Sequence, residues 1–229
     1  MGLLPSFGNV VRFGLGIFVV GIASTASLLY LYQRSLIYPS GIPAGSRTDV
    51  MTPDKLDMPH SEVKLQTPDG ETLQVFVILQ DGSVEQKVRK QPKATGVEAA
   101  KSRPTVLFLH ANAGNMVRIA KSVSLPYSLL TDYSSDHQGH RLPLAKVFYQ
   151  RFGFNVVMLS YRGYGLSTGS ASEVGIRLDA QTTLDFIRAH QVLGKTTLVV
   201  YGQSLGGAVA VDVAQRNPKD VHAIIVENT

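Results

Sequence analysis

The sequence predicts an α/β fold, a mostly parallel sheet with helices on both faces, preceded by one N-terminal transmembrane helix. Three observations carry that prediction. From Pro104 onward, short apolar runs alternate with amphipathic helical stretches. A G-x-S-x-G pentapeptide falls between a predicted strand and a predicted helix. Near the N-terminus, 21 residues pass without a charge. The composition agrees. Of 229 residues 44% are hydrophobic and 17% charged, which excludes a disordered, highly charged chain. The net charge of +5 is too diffuse to imply a nucleic-acid partner. Cysteine is absent, which excludes a disulfide framework, a cysteine zinc site and a thiolate nucleophile. No metal and no cofactor are expected.

Residues 1–12 form a tail. The uncharged segment, residues 13–33, lies between Arg12 and Arg34 and is long enough to cross a hydrocarbon core of about 30 Å. Tyr30, Tyr32 and Tyr38 cluster at its C-terminal end, where an aromatic belt would sit. An uncleaved signal-anchor, in contact with the bilayer through residues 13–33, is the favoured reading. A cleaved signal peptide is the rival, since Ser24-Thr25-Ala26 is an acceptable site, and a buried core helix is a third reading. Arg12 before the span and Arg34 and Arg47 after it leave the orientation open.

Residues 34–60, with prolines and glycines at 39, 41, 43, 45, 53 and 59, read as an extended connector. The α/β domain occupies 61–229. It opens with a hairpin, Glu62–Thr67 and Thr72–Leu79 around the Pro68-Asp69-Gly70 turn. Residues 81–103 carry six basic side chains and read as a solvated loop, with contact to an anionic membrane as the alternative. Strands follow at Thr105–Leu109, Asn155–Ser160, Thr197–Tyr201 and Ala223–Val226. Helices are expected at Leu144–Phe152, at about Ala171–His190 and at Leu205–Arg216. Ser170 and Glu173 have the spacing of a capping box for the second of these.

The chemistry centres on Gly202-Gln203-Ser204-Leu205-Gly206. A sharp strand-to-helix turn would lift the Ser204 hydroxyl above the sheet, leaving no room for side chains at Gly202 and Gly206. The helix that follows would direct its first amides at developing negative charge. Ser204 is therefore the candidate nucleophile. The backbone N–H groups of Leu205 and of Asn112, in the His110-Ala111-Asn112-Ala113-Gly114-Asn115 loop, are the candidate oxyanion hole. His110 directly follows a strand and is read as structural, not as the base. The glycine-rich Tyr161–Gly169 stretch lacks the spacing of a phosphate loop.

These motifs resemble the bud-emergence family of membrane-anchored α/β-hydrolases and its abhydrolase-domain relatives. The likeness lies in Leu31–Ser40, Thr67–Gly70, His110–Asn115, the Tyr161–Gly169 loop, Ser172–Gly175 and Tyr201–Ala210. It implies a serine hydrolase of the α/β-hydrolase fold, held in the endoplasmic reticulum or another endomembrane. The substrate implied is an acyl ester, thioester or amide, on a lipid or a lipidated protein.

Two departures from the family pattern qualify this. Residues 117–138 stand where the family joins the oxyanion loop almost directly to Gly139–Pro143. Val117-Arg118 can be encoded by a splice-donor sequence, Thr131-Asp132 by a branch point and Gln138 by a splice acceptor. The segment is read as a retained in-frame intron, with a lid insertion as the alternative. The second departure is the C-terminus. Only 25 residues follow Ser204, and a triad in this fold runs Ser, then acid, then His. His110, His137, His140 and His190 precede the serine, and His222 is expected at the wrong edge of the sheet. Glu227 sits at the correct edge without a base, so neither a triad Asp nor a triad His is found. Setting aside the first 34 residues and the 22-residue insertion leaves 173, enough for six strands but not for the units that carry acid and base. The expectation is a hydrolase domain incomplete at its C-terminus. Its function is either weak serine hydrolysis or that of a catalytically inactive product or membrane scaffold.

Overall fold

The computed structural model describes residues 7–42, 44–48, 50–82, 96–112 and 141–229. Two units are present, one ending at Tyr38 and one running from Pro39 to Thr229. The first is a single helix, α1 (Phe7–Ile37), whose 31 residues bury no side chain. It is long and apolar enough to cross a membrane. The expected span at 13–33 falls inside it.

The second unit is built on β1 (Ser61–Gln66), β2 (Thr72–Ile78), β3 (Thr105–Leu109), β4 (Asn155–Leu159), β5 (Leu198–Gln203) and β6 (Ala223–Glu227). They form one sheet in the order β1-β2-β4-β3-β5-β6. The β1/β2 hairpin and the β2/β4 pair are antiparallel, and the other three pairs are parallel. Gly70, at φ 93°, makes the hairpin turn that a residue with Cβ would resist. Every residue of β3 and β4 is buried, which is why both read as unbroken apolar runs. β5 extends two residues beyond the expected Tyr201, because Gly202 and Gln203 still pair with Val226 and Glu227. On β6, Ile224, Ile225 and Val226 are 42–47% exposed, as expected of a strand paired on one side among the described residues.

Four local expectations are corrected. The 34–60 connector is not extended throughout: α1 continues to Ile37, Pro53–Leu56 forms a helical turn, and Leu56 and Met58 are buried in the core, because these apolar side chains find the sheet's face. The basic stretch is not loop throughout: α2 (Gly96–Lys101) is helical and buries Ala99 and Ala100. Its alanines are small enough to pack closely, and the buried Asn155 amide donates to the carbonyls of Ala100 (2.9 Å) and Arg103 (3.2 Å). Residues 83–95 of that stretch, and all of the 117–138 segment, lie outside the described residues. The helix expected at Leu144–Phe152 begins earlier, as α3 (Arg141–Lys146), and widens into a π turn over Val147–Arg151 that buries Phe148 and Tyr149. It stops before Gly153, at φ 68°. Finally, α4 (Glu173–Ala189) is capped by Ser172, not Ser170. Position 175, where a capping box would need Glu or Gln, is a glycine, and its N–H donates to Ser172 Oγ at 3.1 Å. Ser172→Ala is expected to cost about 1 kcal/mol, read as a lowered urea midpoint with an unchanged m-value.

Helix α4 lays Ile176, Ala180, Leu184 and Ile187 on the core, the stripe its sequence predicts. Helix α5 (Leu205–Arg216) packs on β5, β6 and β3. The strand order brings the C-terminal ends of β3 and β5 side by side, with Leu109 paired to Gly202. Whatever follows those two strands therefore meets at one edge of the sheet.

Candidate active site

Ser204 leaves β5 at φ 51° and ψ −117°, a backbone region that only glycine visits freely. The strain is held by packing. A Cβ on Gly202 would lie 2.1 Å from the Gly206 carbonyl oxygen, and one on Gly206 would lie 2.1 Å from that of Leu109. The same Cβ would lie 2.9 Å from the His110 carbonyl oxygen, so the serine turn is pressed against the loop after β3. Ser204 donates its N–H to the Glu227 carbonyl at 2.8 Å, pinning the turn to the end of β6. The Ser204 side chain is exposed, and among the described residues its Oγ has no hydrogen-bond partner. Leu205 is the first residue of α5, where amides have no acceptor within the helix.

The β3 loop is equally constrained. His110 is fully buried; its Nδ1–H donates to the Ala111 carbonyl at 2.7 Å, and its Nε2 accepts the Tyr161 N–H at 3.4 Å. The ring packs on Tyr161 and Tyr164 at centroid distances of 4.3 and 5.1 Å. Burial, reinforced by the nearby Arg141 cation, holds the imidazole well below its ordinary pKa, so it stays neutral. Both nitrogens being engaged, His110 has the structural place expected of it. Arg141 donates to the same Ala111 carbonyl at 2.8 Å, and burial lowers its guanidinium pKa to about 10. Tyr164 donates its hydroxyl to Asn112 Oδ1 at 2.6 Å.

The other described histidines are also occupied. His222 Nδ1 accepts the Leu198 N–H at 3.1 Å, at the start of β5 and so at the edge away from Ser204. His190 Nδ1 accepts the N–H groups of Val192 and Leu193, each at 3.2 Å. His60 lies edge-on to Phe76 and 4.0 Å from Asp54. His137 and His140 fall outside the described residues. Glu227 accepts a short hydrogen bond from the Tyr201 hydroxyl beside the serine turn.

Sequence reasoning missed the ionic knot beneath this edge. Arg162 donates its N–H and Nε to Asp179 at 2.7 and 2.9 Å, and its terminal nitrogens to Asp69 at 2.6 and 3.0 Å. The guanidinium crosses Gly175, where a Cβ would lie 2.5 Å from Arg162 Cδ. Hydrogen bonds from Arg162 hold the Asp69 carboxyl far below the usual range. Burial instead raises Asp179 to about 6, outweighing the pull of the same arginine. One signal was available: Asp179 stands three residues after Ile176, on the apolar face of α4.

A family profile described as alpha/beta hydrolase fold matches residues 104–229. Protein bem46 of Schizosaccharomyces pombe is 42% identical over 201 residues, covering 88% of this chain and 54% of that protein. An uncharacterized membrane protein of Saccharomyces cerevisiae is 32% identical, over 96% of this chain and 63% of its own length. Lysophosphatidylserine lipase of Danio rerio is 27% identical, over 94% of this chain and 50% of its own. The Pyrococcus furiosus esterase Pf2001 superposes with a TM-score of 0.51 at 19% identity, over 77% of this chain and 52% of that one. This chain thus spans about half the length of the curated relatives it matches. With a profile match over more than half of the chain and the sheet order described above, the chain belongs to the α/β-hydrolase fold family, in its bud-emergence-type, membrane-linked branch.

Proposed function

We propose that the protein is a membrane-anchored serine hydrolase that cleaves an acyl ester, thioester or amide through Ser204. The observation that carries this reading is Ser204 at φ 51°, exposed at the sheet edge, with its turn packed against the β3 loop. Backbone strain of that kind costs about 1–3 kcal/mol and persists where a side chain must be held for a task. In the proposed reaction Ser204 Oγ bonds to the acyl carbon while its proton passes to a base. The leaving group departs with a proton, and water then releases the acid and restores the hydroxyl. The Leu205 and Asn112 amides stabilise the oxyanion. Each described histidine makes its contacts elsewhere, and none of them bonds to Ser204 Oγ. Residues 13–33 are the proposed bilayer anchor, and an endomembrane the proposed compartment. The lysophosphatidylserine lipase among the relatives supports a lipid-derived acyl group as substrate.

The same engaged histidines favour a second reading, a non-catalytic member of the family. A fluorophosphonate probe separates the two. Slow labelling of the folded full chain is expected, abolished by Ser204→Ala, since nucleophile and oxyanion hole alone retain residual reactivity. Equal labelling of the chain and its Ser204→Ala variant, or none of either, would favour the second reading.

A further inference from the structure

A planar trans peptide points its carbonyl and its N–H in opposite directions. In the peptide joining Ala111 to Asn112, the carbonyl is fixed by two donors, His110 Nδ1–H at 2.7 Å and Arg141 at 2.8 Å. The Asn112 N–H must then face away from that buried pair. Its own side chain is held as well, by the Tyr164 hydroxyl at 2.6 Å. Tyr164 comes from the loop after β4 and is itself fully buried. Its N–H donates to the Tyr161 carbonyl at 2.9 Å and its carbonyl accepts from Ser160 Oγ at 3.1 Å, so the loop holding the hydroxyl is rigid.

We propose that Tyr164 is a positioning residue of the oxyanion hole, its hydroxyl holding Asn112 while His110 and Arg141 clamp the Ala111 carbonyl, so that the Asn112 N–H is aimed before substrate arrives. This rests on the serine-hydrolase reading. Preorganisation is what gives such a donor its value, because an amide free to turn would spend part of its interaction on reorienting. Tyr164 touches no substrate in this scheme. It acts through Asn112.

The test compares the full chain in detergent with Tyr164→Phe, Asn112→Ala and the double variant. Losing one hydrogen bond that positions the donor should lower the maximal rate of Ser204 phosphonylation about three- to tenfold. The probe concentration for half-maximal rate should stay unchanged, because only the transition state develops the oxyanion. Asn112→Ala should lower the rate similarly, and the double variant no further than either single one. Additive losses, or an unchanged rate in Tyr164→Phe, overturn the proposal.

A second readout needs no reactivity. With selective 15N-asparagine labelling, Tyr164→Phe should shift and broaden the backbone and side-chain amide signals of Asn112. Those of the buried, fully bonded Asn155 should not move. Unmoved Asn112 signals, or equal shifts at Asn155, overturn the proposal as well. If the unmodified chain takes no probe at Ser204, the hydrolase reading fails, and the asparagine spectra alone decide whether Tyr164 holds Asn112.

Discussion

Arg162→Met is expected to destabilise the domain by about 3–5 kcal/mol at pH 8, the cost of leaving a buried charge without its partner. The residue it strands is Asp179, which is fully buried, whereas the Asp69 side chain is 45% exposed and stays solvated. The sign of the pH dependence follows from Asp179. Its value in the fold, about 6, lies above the ordinary 3.8, so the fold favours the protonated form. The stability this gives is complete below pH 3.8 and is lost as pH rises through about 6. Removing the cation raises that value further. The variant should therefore lose most at pH 8 and much less at pH 5, where Asp179 is protonated in both proteins. Urea midpoints at the two pH values measure this. Adding Asp179→Asn, which keeps an acceptor for the Arg162 N–H, should restore most of the loss at pH 8 and little at pH 5. An equal loss at both values would assign the cost to packing of the arginine stem over Gly175 instead of to charge.

The contrast between Ser204 and Arg162 shows what a single sequence makes legible. The serine turn is written locally: two glycines, a serine and the change from strand to helix fall within five residues, and each has one physical reading. The strands were equally plain, because β3 and β4 are buried on both faces and must be apolar throughout. That the loops after β3 and β5 meet at one sheet edge follows from the strand order β4-β3-β5. Arg162 joins Asp69, 93 residues away, and Asp179, 17 residues away, and no local pattern encodes such a meeting. Tyr164 was hidden for the same reason, its partner lying 52 residues earlier on another loop. Helix α2 was lost in a basic stretch because two buried alanines carry little hydrophobic signal. Ser172 was passed over as the cap because the Ser170–Glu173 spacing mimics a capping box, and only the geometry of the turn distinguishes them. Local chemistry was readable, then, and long-range polar contacts were not.

Gly206→Ala is expected to lower the reactivity of Ser204 sharply. The new Cβ would lie 2.1 Å from the Leu109 carbonyl oxygen, 2.6 Å from its carbon and 2.9 Å from the His110 carbonyl oxygen. All three are backbone atoms, and β3 is hydrogen-bonded to β4 on one side and β5 on the other, so it cannot yield. The helix must retreat instead, taking Ser204 and the Leu205 amide away from Asn112. Such overpacking typically costs about 1–3 kcal/mol of stability. The chemical penalty is steeper, since misplacing reacting groups by about 1 Å can cost about a hundredfold in rate. Ser204 phosphonylation should accordingly fall at least that far while the urea midpoint drops only moderately. Gly41→Ala, whose Cβ would meet nothing within 4 Å, is the control and should change neither. A labelling rate within about threefold of the unmodified chain would mean that contact between Gly206 and the β3 loop does not set the serine's position, because a displaced nucleophile cannot keep the geometry that its rate depends on.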